Sequence, residues 1–395
     1  MPRFDPFPAL RYCDPDVDDL IAPPYDVLSN SDLDELNGRN RYNITHIDVP
    51  RESDGPDRYV AAARRLHEWV DAGVMAYDDT ATFTINRLRF CDSTGRNRDI
   101  VGVLGGLEVV DPGAGGVLPH ERVTPKASTD RLDLTRATDA NLSPVWGLSL
   151  ASGLTSLLTE PGTPLSSVTV GGVEHVVERV DDPTRIAAIR ECVGSDDVLI
   201  ADGHHRYGVA QRHRDEVRAA TGRTDTPAEG TLAFVSELVA DQLSVEAIHR
   251  LYSGIDTEHL IATLDRWFER SPAVGRGPST DDLAAMVDPH RLQLISAAGR
   301  EWLLPRQHAF ADVRSIDGAW LEAALDGLDY DVTYEHDLDR VDAAVKSGAA
   351  SAAILINPVS VAEIERTARE GALMPPKSTY FTPKLRTGFV IRSLT

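Results

Sequence analysis

The chain has 395 residues, 42% hydrophobic and 26% charged, and a net charge of -22 from 62 acids against 40 bases. Its length exceeds what one core ordinarily holds and its composition is that of a folded chain, so two domains are expected, and disorder, collagen and coiled coil are excluded as overall classes. An acidic surface repels phosphate backbones and no run approaches the roughly 20 apolar residues of a membrane helix, so neither a nucleic-acid partner nor a membrane is expected.

In chain order, P-F-P-A-L-R-Y and L-I-A-P-P-Y-D-V-L-S read as two short extended pieces, because each proline denies helix to the residue before it. The acids Asp14, Asp16 and Asp18 are unlike a signal peptide, and a cytoplasmic location is expected. Ser31 is placed as the cap of a first helix running to Asn37. Over 57–75, Val60, Ala63, Leu66, Trp69 and Val70 share one helical face, with Gly73 as the stop. A hairpin follows around the turn-rich C-D-S-T-G-R-N, then a polar stretch over 111–144 expected to be a long loop or loop-helix segment. Strand V-E-H-V-V-E-R-V, helix D-P-T-R-I-A-A-I-R-E-C-V, strand D-V-L-I-A and a helix carrying D-G-H-H-R-Y come next.

T-G-R-T-D-T-P-A-E-G at 221–230 is rich in turn formers, and a boundary is placed there, giving domains over 1–225 and 226–395. Beyond it lie a strand L-A-F-V-S-E-L-V, helices around 257–269 and 318–327, a strand A-A-I-L-I-N-P-V and a closing turn-rich segment. The three cysteines, Cys13, Cys91 and Cys192, form no C-x-x-C, so a disulfide framework and a cysteine zinc site are both unsupported.

The sharpest chemical signal is D-V-L-I-A-D-G-H-H-R-Y. A buried strand ends at Asp202, and the helix that follows presents backbone amides and the positive end of its dipole to an anion. Gly203 permits close backbone approach, and His204, His205 and Arg206 add donors on the same turn. A second cluster, P-H-E-R-V-T-P-K over 119–126, pairs an imidazole and a carboxylate in His120 and Glu121, suited to general base and orienting partner, while Lys126, Arg131 and Arg136 suit anionic oxygens. In the third, M-P-P-K-S-T-Y-F-T-P-K, prolines stiffen a loop carrying Lys377, Thr379 and Lys384. Of the 40 basic residues only Lys126, Lys346, Lys377 and Lys384 are lysine, and three of these four fall in the flagged segments. His249 is read as a core histidine. No metal ligands are assigned, because His204 and His205 are adjacent and face different directions; Mg2+ would be held through phosphate oxygens and one carboxylate.

Taken in order, A-P-P-Y-D-V, H-E-R-V with D-R-L-D-L and A-N-L-S-P, I-A-D-G-H-H-R-Y, H-R-L and M-P-P-K-S-T-Y-F-T-P-K-L resemble the domain-of-unknown-function 1015 family over nearly the whole chain. The sequence departs from that pattern at Val245-Glu246-Ala247, where the family has a leucine-proline step. The D-G-H-H-R element is in turn similar to the phosphate motif of the ParB and sulfiredoxin superfamily, which includes kinases of free serine. The resemblance implies an α+β fold with a ParB/sulfiredoxin-like mixed core and a second αβ domain. It places Asp202 to Arg206 in a phosphate cradle, with Glu121 or Asp202 as the catalytic carboxylate. It also implies phosphoryl transfer to serine from a nucleotide or pyrophosphate.

The leading expectation is a small-molecule phosphotransferase with catalytic Glu121, Asp202, His205 and His120. A phosphoester or metal-assisted hydrolase using the same groups, and a non-enzymatic ParB-like ligand-binding regulator, stay open.

Overall fold

In the computed structural model of the protein, which describes residues 1–122, 128–273 and 277–395, the chain divides into two units. One is Met1–Ser244 with Pro383–Thr395 and the other is Val245–Thr382. The class is α+β, as expected from the sequence.

The first unit is built on a nine-stranded mixed sheet. The hairpin Phe83–Cys91 and Asn97–Glu108 lies at its middle, with Val173–Val180 and Thr163–Val170 continuing on one side. On the other side come Gly230–Glu237, Val145–Ser149, Val198–Asp202 and Val117–Leu118, while Phe4–Asp5 pairs separately with Asn97–Glu108. Phe83, Ile85, Val103, Leu107, Val145, Val198, Ala233 and Val235 pack into one core, with Ile189 and Val193 of the helix Pro183–Val193 laid over it. Two glycines let aromatic rings lie flat against the sheet. A Cβ on Gly102 would come within 2.3 Å of Phe234, and one on Gly105 within 2.4 Å of Phe4 and 2.7 Å of Phe83.

The strand Gly230–Glu237 explains why the expected break at 225/226 is not where the chain divides. It lies inside the sheet, parallel to Val145–Ser149 and antiparallel to Asn97–Glu108, and Leu232 to Val235 are wholly buried. The turn formers at 221–230 are instead a left-handed cap at Gly222 and a short 3-10 turn, Pro227–Glu229, leading into that strand. Two smaller expectations also shift. The first helix, Asn30–Arg39, is capped by Ser29 in a reciprocal box with Asp32, not by Ser31. In the helix Arg58–Asp71 the buried face is Ala62, Ala63, Leu66 and Trp69, and Val60 is exposed, because Tyr12 and Tyr42 gather around Trp69 and set which face turns inward.

The second unit is a six-stranded antiparallel sheet in the order Phe268–Pro272, Gly299–Pro305, Leu292–Ser296, Ala352–Leu355, His249–Ser253, Asp331–Glu335. Alternation along its strands sends Leu292, Leu294 and Ile354 to a core shared with Leu260, Trp320 and Leu321. It sends Ile295, Ala353 and Leu355 to another with Met286, Val341 and Val345. Helices therefore cover both faces. His249 is the core histidine expected: it is 1% exposed and accepts the Ile356 N–H at 3.3 Å, and burial, then Arg250, pushes its pKa down to about 3.

Candidate functional site

The strand Val198–Asp202 is buried until its last residue and pairs antiparallel with Val145–Ser149, the register slipping between Ile200 and Asp202. A bulge there re-aims the side chain that ends the strand. Gly203 follows in the left-handed region at φ +88°, a conformation costly for any residue with a Cβ, and the helix His204–Thr221 starts at once. Tyr207 anchors the helix, its hydroxyl donating to the Glu108 carbonyl at 3.0 Å and accepting the Val110 N–H at 2.9 Å, while Arg214 donates to the Val109 carbonyl at 2.6 Å.

Asp202 does not cap this helix. One carboxylate oxygen meets Lys384 Nζ at 2.6 Å and the other meets Arg206 Nη2 at 2.5 Å, and all three side chains are less than a fifth exposed. Burial opposes ionisation, but Lys384 first and Arg206 next outweigh it, and the Asp202 carboxyl is held well below the usual carboxylate range. Arg206 also donates to the Pro144 carbonyl. The sequence offered Asp202 as one option for the catalytic carboxylate; here it is paired with two cations, and a carboxylate so paired has little affinity for a proton. Lys384 and Arg206, 182 and 4 residues away, are gathered with it.

Glu121 and His204 also meet. Glu121 Oε1 stands 3.8 Å from His204 Nδ1, with both side chains largely enclosed. His120 lies edge-on to His204 at 4.7 Å between ring centroids and donates from Nδ1 to the Ile200 carbonyl at 2.6 Å, since a carbonyl can only accept. His120 is wholly buried, and burial drives its pKa down to about 4. A neutral, enclosed imidazole cannot reach a substrate, so the general-base role expected of His120 becomes a positioning one, tying the H-E-R-V segment to the motif strand. His205 is half-buried on the first turn of the helix.

A cavity opens along the same helix, lined by Arg206, Val209, Ala210 and His213 from it and by Tyr25, Asp48, Arg131 and Ser143 from other segments. Arg131, expected at the site, stands in its wall. Its guanidinium lies 4.3 Å over the Tyr25 ring and donates to the Asp48 carbonyl at 2.5 Å and to Asp130 at 2.7 Å. Arg136 does not join: exposed on the helix Ser128–Thr138, it pairs with Glu216 and Asp133 at 2.6 Å each, because a position five residues beyond Arg131 lies about 140° round the helix and faces solvent. Lys126 lies outside the described residues. Lys377 and Thr379 belong to the second unit. There the Lys377 carbonyl accepts from Arg250 at 3.0 Å with its own backbone at φ +56°, and Thr379 is buried.

Sequence reasoning missed Tyr25, Asp48, Ser143 and the Pro144 carbonyl. Tyr25 and Ser143 sit inside A-P-P-Y-D-V and A-N-L-S-P, which carried the family resemblance without a chemical assignment. Asp48, in the plain run T-H-I-D-V, offered no signal. Asp48 is fully enclosed; burial pushes its pKa up, against Arg131 and then Arg206. The described residues gather no group of three or more metal-ligating side chains.

The sequence matches the family described as protein of unknown function (DUF1015) over residues 4–329. The chain belongs to that family. None of the curated proteins matches it. Among solved structures it is similar to a conserved hypothetical protein from Pyrococcus furiosus, at 12% identity and a TM-score of 0.40 over 71% of this chain and 92% of that one. It is also similar to a free serine kinase in complex with AMP, at 11% identity and a TM-score of 0.41 over 71% and 88%. A third, SbnI with a C-terminal truncation from Staphylococcus aureus, aligns at 14% identity and a TM-score of 0.38 over 72% and 85%. Among the described residues no helix is long and apolar enough to cross a membrane.

Proposed function

We propose that the protein is a kinase-like phosphotransferase acting on the hydroxyl of a small molecule. The observation that supports this best is the meeting of Glu121 and His204 at 3.8 Å on the first turn of a helix that begins at a left-handed glycine, beside the Asp202–Lys384–Arg206 cluster. Phosphoryl transfer asks a protein for positioning and charge stabilisation more than for covalent chemistry. The amides after Gly203, with His204, His205, Arg206 and Lys384, receive the phosphoryl oxygens. Glu121 takes the proton of the acceptor hydroxyl, whose oxygen forms the new bond to phosphorus. The bond to the leaving phosphate breaks, and its electrons stay on an oxygen faced by Lys384 and Arg206. Arg131 stands one side chain further along, on the cavity wall. This assignment uses the first unit alone, and Lys126, Lys377 and Thr379 play no part in it.

Phosphorus NMR of the purified protein with magnesium, serine and either ATP, ADP or pyrophosphate tests the reading, serine being the first acceptor to try because of the sequence resemblance. A new phosphomonoester signal is expected from the wild type and its loss, by at least about a hundredfold in rate, from Glu121→Gln. Release of inorganic phosphate with no phosphomonoester would replace the reading by the hydrolase, in which water takes the acceptor's place. No turnover of any donor would leave the non-enzymatic ligand-binding alternative.

A further inference from the structure

The cavity beside Arg206 has features that the transfer step does not use. Tyr25 puts a phenol in its wall, and that hydroxyl makes no hydrogen bond among the described residues, while burial holds its pKa up at about 12, so it stays a proton donor. Arg206 spends one N–H on Asp202 and one on the Pro144 carbonyl, and its Nε–H has no partner among the described residues. His213, also on the wall and 7% exposed, has a ring nitrogen, Nδ1, that is buried without a partner. The charge is lopsided as well. Of the lining side chains the cations Arg131 and Arg206 stand against one carboxylate, Asp48, while the further acids, Asp26 near Arg206 and Asp130 on Arg131, are exposed or half exposed and screened by water. The lining also has apolar side chains: Leu134, Leu142, Val209 and Ala210.

We propose that this cavity binds the oxyanion of a second small reactant, a carboxylate or a phosphate, through the Tyr25 hydroxyl and the free edge of Arg206, with Arg131 held face-on to Tyr25 as the charge behind it. Tyr25 is then a specificity residue, selecting acceptors that carry a negative group alongside the reacting hydroxyl. That last role rests on the phosphotransferase reading; the binding of the oxyanion does not. A reactant seated here lies along the face of the helix whose first turn carries His204, and Arg206 belongs to both compartments.

The test is titration calorimetry with two probes, inorganic phosphate and glycolate, on the wild type, Tyr25→Phe, Ala210→Leu and Lys346→Met. Tyr25→Phe keeps the ring under Arg131 and removes one hydroxyl donor to an anion, so affinity for the cognate probe should fall on the order of tenfold. Ala210→Leu fills the cavity from its apolar lining and should weaken the same probe comparably or more, while Lys346→Met, at an exposed position of the second unit, should bind it as the wild type does. The probe that responds identifies the oxyanion. Wild-type affinity for both probes in Tyr25→Phe and Ala210→Leu, or no binding of either probe by the wild type, overturns the proposal. A circular-dichroism melt of each variant keeps a folding defect from passing as lost binding. If the variants lose the probe but the wild type transfers no phosphate to any acceptor, the oxyanion site stands and the phosphotransferase reading fails.

Discussion

Replacing Lys384 by methionine removes the contact that ties the end of the chain to the motif strand. Lys384 Nζ lies 2.6 Å from Asp202 Oδ1, with the two side chains 15% and 17% exposed. At that separation and an effective dielectric near 20 the gross attraction is about 6 kcal/mol. Desolvation of both groups takes back much of it, and Arg206 on the other carboxylate oxygen keeps Asp202 from being left alone, so we expect a loss of about 2–3 kcal/mol at pH 7. The sign of the pH dependence follows from Asp202. Its folded pKa is depressed, so its contribution is complete above the unfolded value of about 3.9 and is lost as pH falls toward the folded one. Without Lys384 the depression is smaller. Both proteins lose stability below the unfolded value, and the gap between them, full at neutral pH, narrows once pH falls below the variant's own folded value, by up to about 1.4 kcal/mol per pH unit. Urea unfolding at pH 7 and pH 3 measures this, with Lys346→Met as control: its ammonium is 67% exposed and paired only with Asp342 one turn away, so its loss should change stability by no more than about 0.5 kcal/mol. A loss that grows as pH falls from 7 to 3, or a Lys384 effect no larger than that of Lys346, would refute the reasoning.

Other consequences concern the scaffold. His290 Nε2 meets Asp317 Oδ1 at 2.6 Å, and that bond raises the imidazole pKa, so the pair's stabilisation is full below about 6.5 and is lost as pH rises through the folded value. His290→Gln should cost about 1 kcal/mol at pH 5.5 and close to nothing at pH 9, read from paired urea curves. Gly102→Ala forces a Cβ to within 2.3 Å of the wholly buried Phe234 ring and should destabilise by about 2–4 kcal/mol. Gly208→Ala, in a helix interior with nothing within 4 Å of the new Cβ, should stabilise by about 0.5–1 kcal/mol in the same assay.

How much of this was legible in the sequence depends on how far apart the cooperating residues lie. The strand-turn-helix at 198–206 was readable because its apolar run, its glycine and its helical continuation sit within about ten residues, where local sterics and hydrogen bonding decide the backbone. The same holds for the hairpin at 83–108 and the amphipathic helix at 58–71, whose periodicity is printed in the chain itself. The candidate residues Glu121, His204, Arg206 and Lys384 were likewise visible as unusual chemistry in short motifs. Their roles were not.

Tertiary structure alone decided those roles, because burial and charge partners come from segments far away in sequence. Asp202 stops being an available base only when Lys384 arrives from 182 residues along, and His120 becomes a fixed, neutral support only when the Ile200 carbonyl, 80 residues away, closes over it. Arg131 and Arg136 look equivalent in D-R-L-D-L-T-R, yet one is enclosed against Tyr25 and Asp48 and the other is solvated. The division of the chain was hidden for the same reason. Turn formers at 221–230 mark a change of direction, but whether the next strand starts a new core or completes the old one is settled by which strands pair with it. Gly230–Glu237 pairs between Val145–Ser149 and Asn97–Glu108, and hydrogen bonds between strands so far apart in the chain leave no trace in local composition.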